Sequence, residues 1–355
     1  MIRKPSLSEI DSVLENELRP CFSELESLRD QARMAAYFGA VIVVAGTLFC
    51  FLFAPRAALN HANLGNFFYV PVGLATLAYW FFSHFYKPYR KRFKEEVMRK
   101  AFARFFPSLA YEPEQYIDRS TYDEANFFSG ITEYSGNDYC KGQLGEVKFS
   151  FSELTCIYES GSGKNRRRET VFQGFFFVGD FDRDFFFRTT IQPDMAENLL
   201  GFVGRGLQRI ISGNRLVDLE NPEFEKVFVV TSDDQVEARF ILTPTMMEKI
   251  VDFKKRLGHP IHLCFVNGKM FLAIETSRDY FEPKLFGDIL GRRDLMEFID
   301  MLSLLVGVAE EFLHHPKFGN SAAVPPRMPM PPLPKPLVQK PTPEKMKLMP
   351  WLKRK

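Results

Sequence analysis

Asp180, Asp182 and Asp184 alternate along the chain as the first three oxygen ligands of a calcium loop would. Such a loop needs a turn glycine at its sixth position and a closing glutamate at its twelfth, where Phe185 and Ile191 stand. A hairpin with a charged turn accounts for the three aspartates better. Gly163-Lys164 ends like a phosphate loop, but Tyr158 replaces the first glycine and Asn165 the hydroxyl residue after the lysine. Gly201, Gly204 and Gly206 have the wrong order for a dinucleotide fingerprint and fall inside a predicted helix. His259 and His262 straddle a proline and lack the one-face spacing of a zinc pair, and His314-His315 closes a helix where imidazolium suits the dipole. No serine or cysteine sits in a nucleophile elbow. The pattern nominates no catalytic residue, no cofactor site and no metal site.

One polar group does stand out. Asp233, Asp234, Gln235, Glu237 and Arg239 flank a predicted strand, Val236–Leu242, on which Glu237 and Arg239 would share a face. They make either a polar docking surface or an ion pair that sets strand register.

The elements that must carry these residues divide into five segments. Residues 1–33 form an N-terminal helix: Ser6 and Glu9 make a capping box, and Ile10, Val13, Leu14, Leu18, Phe22, Leu25 and Leu28 recur at helical spacing. Pro20 is expected to kink or split it. Residues 34–86 read as a transmembrane hairpin. Met34 to Ala54 is free of charge and spans about 31 Å as a helix, and Leu64 to Tyr86 repeats the pattern. The loop between them carries only Arg56, whereas Arg29 and Arg33 precede the first span and Lys87, Arg90, Lys91, Arg92 and Lys94 follow the second. The lysine and arginine bias therefore places both termini on the cytoplasmic side. Ala35, Ala36, Gly39 and Ala40 give small-residue spacing suited to close helix packing, against the second span or against another chain.

Residues 87–118 are basic and amphipathic. The five cations Lys87, Arg90, Lys91, Arg92 and Lys94 are candidates for lipid headgroup contact, and the same stretch also reads as a stop-transfer flank that continues as a stalk. Residues 119–316 hold the globular part, an α+β cytoplasmic domain with an antiparallel sheet and packed helices. Strands are predicted at Phe127–Glu133, Glu146–Tyr158, Val171–Val178, Asp184–Ile191, Val227–Val230, Ile261–Val266 and Met270–Glu275, and helices at Pro193–Ile211, Pro244–Leu257 and Arg292–Leu313. Gly161–Arg168 reads as a hairpin loop, and Asn267-Gly268 is the strongest short hairpin signal. Residues 317–355 are a proline-rich basic tail: from Asn320 onward it holds ten prolines, eight lysines or arginines and one acid. It suits a proline-binding partner or a basic tether, or is simply solvated.

Composition agrees with this division. The chain has 38 phenylalanines, enough aromatic surface for a large core, and five scattered cysteines that fit a reducing compartment. A net charge of +2 over 355 residues argues against nucleic acid as the main partner. The expected partners are the lipid bilayer and a protein.

The stretch Glu220–Pro244, ENPEFEKVFVVTSDDQVEARFILTP, resembles a bacterial family of two-span membrane proteins known as domain-of-unknown-function family 3137. The residues that carry the likeness are Glu220 to Lys226, Ser232, Asp234, Gln235, Glu237 to Arg239 and Leu242 to Pro244, with support from Gly142–Leu154 and Phe172–Phe177. The resemblance runs over roughly residues 6–316 and leaves out the tail. It implies an inner-membrane, multi-pass architecture and no activity, because none is assigned to the family.

Overall fold

The computed structural model describes residues 5–59, 65–145, 147–161, 166–181, 187–194 and 215–313. Of the predicted helix Pro193–Ile211 the first residue ends a strand, Thr189–Pro193, and residues 195–211, with Gly201, Gly204 and Gly206, lie outside them, as do Asp182 and Asp184, the tip of the Gly161–Arg168 loop, His314-His315 and the proline-rich tail.

The chain opens as predicted, with α1 (Leu7–Val13) capped by Ser6, whose hydroxyl accepts from the Glu9 amide at 3.2 Å. A π-turn over Leu14–Leu18 follows and leads directly into α2 (Arg19–Leu59). Pro20 thus neither splits nor ends the helix. It lacks an N–H and its ring crowds the carbonyl four residues back, and the wider turn immediately before it relieves both conflicts. Within Leu7–Leu52 lies a window long and apolar enough to cross a membrane, with only 17% of it buried.

Helix α3 (Gly65–Phe93) runs antiparallel to α2. A Cβ on Gly39 would stand 3.1 Å from the Ala78 Cβ, and Gly46 faces Leu74 farther along. The small residue at position 39 therefore serves the contact between α2 and α3. Helix α3 passes through Pro71 and Pro88 without interruption, continues through a second π-turn (Lys94–Met98), and ends as α4 (Arg99–Phe105).

Among the described residues, the rest is built on a nine-stranded sheet with every pairing antiparallel, in the order β1-β2-β3-β4-β9-β8-β5-β7-β6. The strands are β1 (Ala110–Glu112), β2 (Glu133–Leu144), β3 (Val147–Ser160), β4 (Arg167–Asp180), β5 (Thr189–Pro193), β6 (Arg215–Leu216), β7 (Phe228–Ser232), β8 (Ile261–Val266) and β9 (Lys269–Glu275). Among the described residues the sheet is accompanied by α5 (Arg119–Ala125), α6 (Pro222–Glu225), α7 (Gln235–Ile241), α8 (Pro244–Leu257) and α9 (Arg292–Leu313). Asn267 and Gly268 both take positive φ (54° and 73°), the two-residue turn that joins β8 to β9.

Two predictions fail here. The strand at Phe127–Glu133 is a loop up to Thr132, where β2 takes over. The strand at Val236–Leu242 is helix α7. Asp234 and Glu237 spell a capping sequence, and Ala238, Ile241 and Leu242 bury at helical spacing while Val236 and Phe240 face out. Of the β-branched and aromatic residues that suggested a strand, Val236 and Phe240 are exposed and Ile241 is buried on the helix's inner face.

Strand β4 lies inside the sheet, between β3 and β9, and is covered on both sides. Phe175 and Phe177 pack with α8, α9 and the α3–α4 continuation, while Phe172 and Phe176 pack with Tyr122 and Phe127 on the other face. This explains the unbroken apolar run of β4, since a strand buried on both faces has no polar side to alternate with.

Candidate functional site

The sequence places Lys94 among cations that would face lipid headgroups. The structure turns it inward. The π-turn adds a residue to the helix, so Phe93 and Lys94 both face the core, and both are fully buried. A second irregularity meets it from the sheet. Strand β2 carries a bulge between Asn137 and Cys140, with Asp138 in the left-handed region at φ 57° and its amide donating to the Pro113 carbonyl. The bulge aims the Asp138 carboxylate at Lys94, 2.5 Å from Nζ, while the Tyr111 hydroxyl donates to its other oxygen.

Glu282, from the segment between β9 and α9, closes the group. Its carboxylate lies 2.8 Å from Lys94 Nζ and 2.6 Å from Arg90 Nε. Glu153 on β3 adds a carboxyl oxygen that is buried without a hydrogen-bond partner. Three parts of the molecule thus meet in a buried set of charges: the α3–α4 rod, the sheet, and the segment before α9. Lys94 and Asp138 have no side-chain exposure.

Burial dominates the electrostatics. It pushes the Asp138 carboxyl up to about 6 against the pull of Lys94, raises Glu282, and raises Glu153 well above the usual carboxylate range. Burial also opposes the Lys94 ammonium, yet Asp138 and Glu282 outweigh it and its pKa is raised. The folded state therefore holds the Asp138 proton more tightly than the unfolded chain does. Its contribution to stability is fully present below the unfolded value of 3.8 and is lost as the pH rises through about 6. Unfolding free energy should accordingly increase by roughly 1–3 kcal/mol from pH 7 to pH 4.5, relative to Asp138→Asn, whose profile lacks this step. Denaturant titrations of the detergent-solubilised chain across that range provide the measurement. Asparagine tolerates positive φ, so the substitution isolates the charge.

The other basic candidates divide. Lys87 is exposed, Lys91 is exposed and lies 4.0 Å from Glu95, Arg92 pairs with Glu24 and Glu96, and Arg90 turns to Glu282. The acidic candidates sit around the start of α7 and not along a strand. Asp233 donates its amide to the Arg188 carbonyl, and Asp234 caps the helix by accepting from the Glu237 amide at 2.8 Å. Gln235 reaches the Leu216 carbonyl, Glu237 accepts from the Phe187 amide, and Arg239 donates to the Asp218 carbonyl and to Gln235. These five tie α7 to the chain before it, at Phe187, Arg188, Leu216 and Asp218. Asp234→Ala should cost about 1 kcal/mol, the ordinary loss of a cap, read from the shift in unfolding midpoint.

His262 is buried, with Nε2 2.6 Å from Glu275 Oε1 and its ring between Phe127 and Phe128. Among the described residues no three of histidine, cysteine, aspartate and glutamate converge as metal ligands would.

Among the described residues, two concave surfaces open to solvent stand out. One, of about 160 Å³, runs between α8 and α9, with Met246, Ile250, Phe253 and Leu304 along its apolar floor, Lys249, Arg256 and Glu310 at its rim, and open space above Gly307. The other, about 530 Å³ and shallow, lies at one end of the sheet beside Lys141, Lys148 and Lys269. Neither includes a member of the buried charge set.

Against known proteins, residues 170–313 match the family described as Protein of unknown function (DUF3137). The matched stretch holds β4 through α9, with Glu282 inside it and Lys94 and Asp138 outside. No curated protein and no solved structure matches the chain.

Proposed function

We propose that this is an integral membrane protein that crosses the bacterial inner membrane through residues 34–54 and 64–86, with both termini and the sheet domain in the cytoplasm. The domain acts there as a non-enzymatic module that binds a protein partner. The observation that carries the reading is the junction. Helix α3 leaves its uncharged stretch and enters the domain with no break, and its Lys94 is enclosed by Asp138 and Glu282. An anchor built into the core in this way holds the domain against the membrane at a fixed angle. The orientation follows the bias of lysine and arginine toward the outer ends of the two helices and away from the turn between them, near which Arg56, in the last turn of α2, is the one cation in residues 55–63.

The binding role is supported by the groove between α8 and α9. An apolar floor with a polar rim is the chemistry of a protein-docking surface, and an apolar segment of a partner would fill the space above Gly307. An enzyme would draw on the raised carboxyls of Asp138, Glu153 and Glu282, but Lys94 and Asp138 have no exposure through which a substrate would reach them.

Protease protection of tags at both termini, on inverted vesicles, tests the topology. Protection of either tag refutes it. A photo-crosslinker at Lys249 in cells tests the binding. One discrete adduct, reproduced with the purified partner and abolished by Gly307→Trp, supports the module, whereas adducts indifferent to that substitution count against it.

A further inference from the structure

The segment between β9 and α9 carries a second feature, on the side that faces α2. Residues 284–289 form a closed loop, with the Lys284 amide donating to the Ile289 carbonyl at 3.2 Å and Gly287 at φ 80° turning the backbone. Two hydrogen bonds fasten it to the long helices: Arg33 Nε donates to the Leu285 carbonyl at 2.7 Å, and the Tyr89 hydroxyl donates to the Lys284 carbonyl at 3.0 Å. Ile289 and Leu290 return to the core, but Phe286 at the tip points out and is 54% exposed. Its ring lies 5.8 Å from Tyr37.

The level of that contact matters. Arg33 is the last charged residue before the uncharged stretch of α2, and Tyr37 lies one helical turn beyond it, about 4.5 Å past Met34. Met34, Tyr37 and Phe38 are themselves exposed, at 69%, 57% and 58%, so Phe286 extends an apolar patch that begins on the helix. Aromatic residues one turn inside the first cation are what an interfacial belt contains. A phenylalanine held at that depth by side-chain hydrogen bonds to the carbonyls of its loop meets the boundary between headgroups and acyl chains.

We propose that the Lys284–Ile289 loop is a third membrane contact, in which Phe286 inserts into the cytoplasmic leaflet beside Tyr37. The inference rests on the membrane-spanning reading above and adds to it a part of the soluble domain that touches lipid. With the helices and this loop as separate points of attachment, the domain is seated on the leaflet as well as tethered to it.

The test uses the full chain in phosphatidylcholine vesicles whose acyl chains carry bromine, a quencher of tryptophan. Trp80 and Trp351 are first replaced by phenylalanine, and one tryptophan is then introduced at Phe286→Trp, at Tyr37→Trp, or at the exposed Tyr116→Trp on the other face of the sheet. Emission at 286 is expected to fall at least twofold relative to unbrominated vesicles, as at 37, with no change at 116. Unquenched emission at 286 beside quenched emission at 37 overturns the loop insertion and leaves the spanning helix intact. Unquenched emission at both overturns the spanning helix, and the loop contact with it.

Discussion

Lys94→Met is expected to destabilise the chain by about 3–5 kcal/mol, read from denaturant unfolding in detergent. The size follows from what the substitution leaves behind. Asp138 has no exposure and would keep only the Tyr111 hydroxyl, while Glu282 retains Arg90 at 2.6 Å. An uncompensated buried carboxylate is among the costliest single defects, so Asp138 should respond by taking up a proton, and the loss should shrink at acid pH. Combining Lys94→Met with Asp138→Asn removes both charges and is expected to recover most of the loss. The double-mutant cycle then isolates the coupling between rod and sheet, and single-variant losses that simply add would show that the two residues act independently.

Gly174→Ala is the second large effect, at least about 3 kcal/mol. Gly174 lies in β4 opposite Glu275 of β9 at φ 145°, and a Cβ there would collide with the Ile274 carbonyl oxygen, a backbone atom that cannot move without opening the pair. Because β4 carries Phe175 and Phe177 on one face and Phe172 and Phe176 on the other, opening that pair disturbs both cores. Gly258→Ala is the control. It also sits at positive φ, at the C-terminus of α8, but in open space, and should cost only about 1 kcal/mol. Equal losses at the two sites would mean that backbone conformation and not the collision sets the penalty at 174.

Much of the fold was legible where one local rule applied. The helix Pro244–Leu257 is α8 with the predicted bounds, Asn267-Gly268 marked the β8–β9 turn, and Ser6 with Glu9 capped α1. Where two rules competed, the weaker signal misled. Val236, Phe240 and Ile241 read as strand, although the Asp234 and Glu237 capping pair beside them pointed to the helix that forms.

The buried charge set was illegible for a different reason. Lys94, Asp138 and Glu282 are 44 and 144 positions apart, and no spacing rule reaches so far. Two traces were present all the same. Lys94 adjoins the inward row of Phe93, Val97, Ala101 and Phe105, and Gly136-Asn137-Asp138 places turn-forming residues inside a strand, which marks a bulge. The family likeness pointed toward Glu220–Pro244, and the matched stretch includes it, yet the charges that join helix to sheet arise mostly upstream.

The uninterrupted helix from Gly65 to Phe105 has a structural corollary. A rod of about 60 Å with no loop in it puts the apolar stretch and Phe102 on one continuous element, and the Phe102 ring is stacked against Tyr111 and edge-on to Phe298. Phe298 belongs to α9, one wall of the groove. The rod thus abuts the helix that forms that wall.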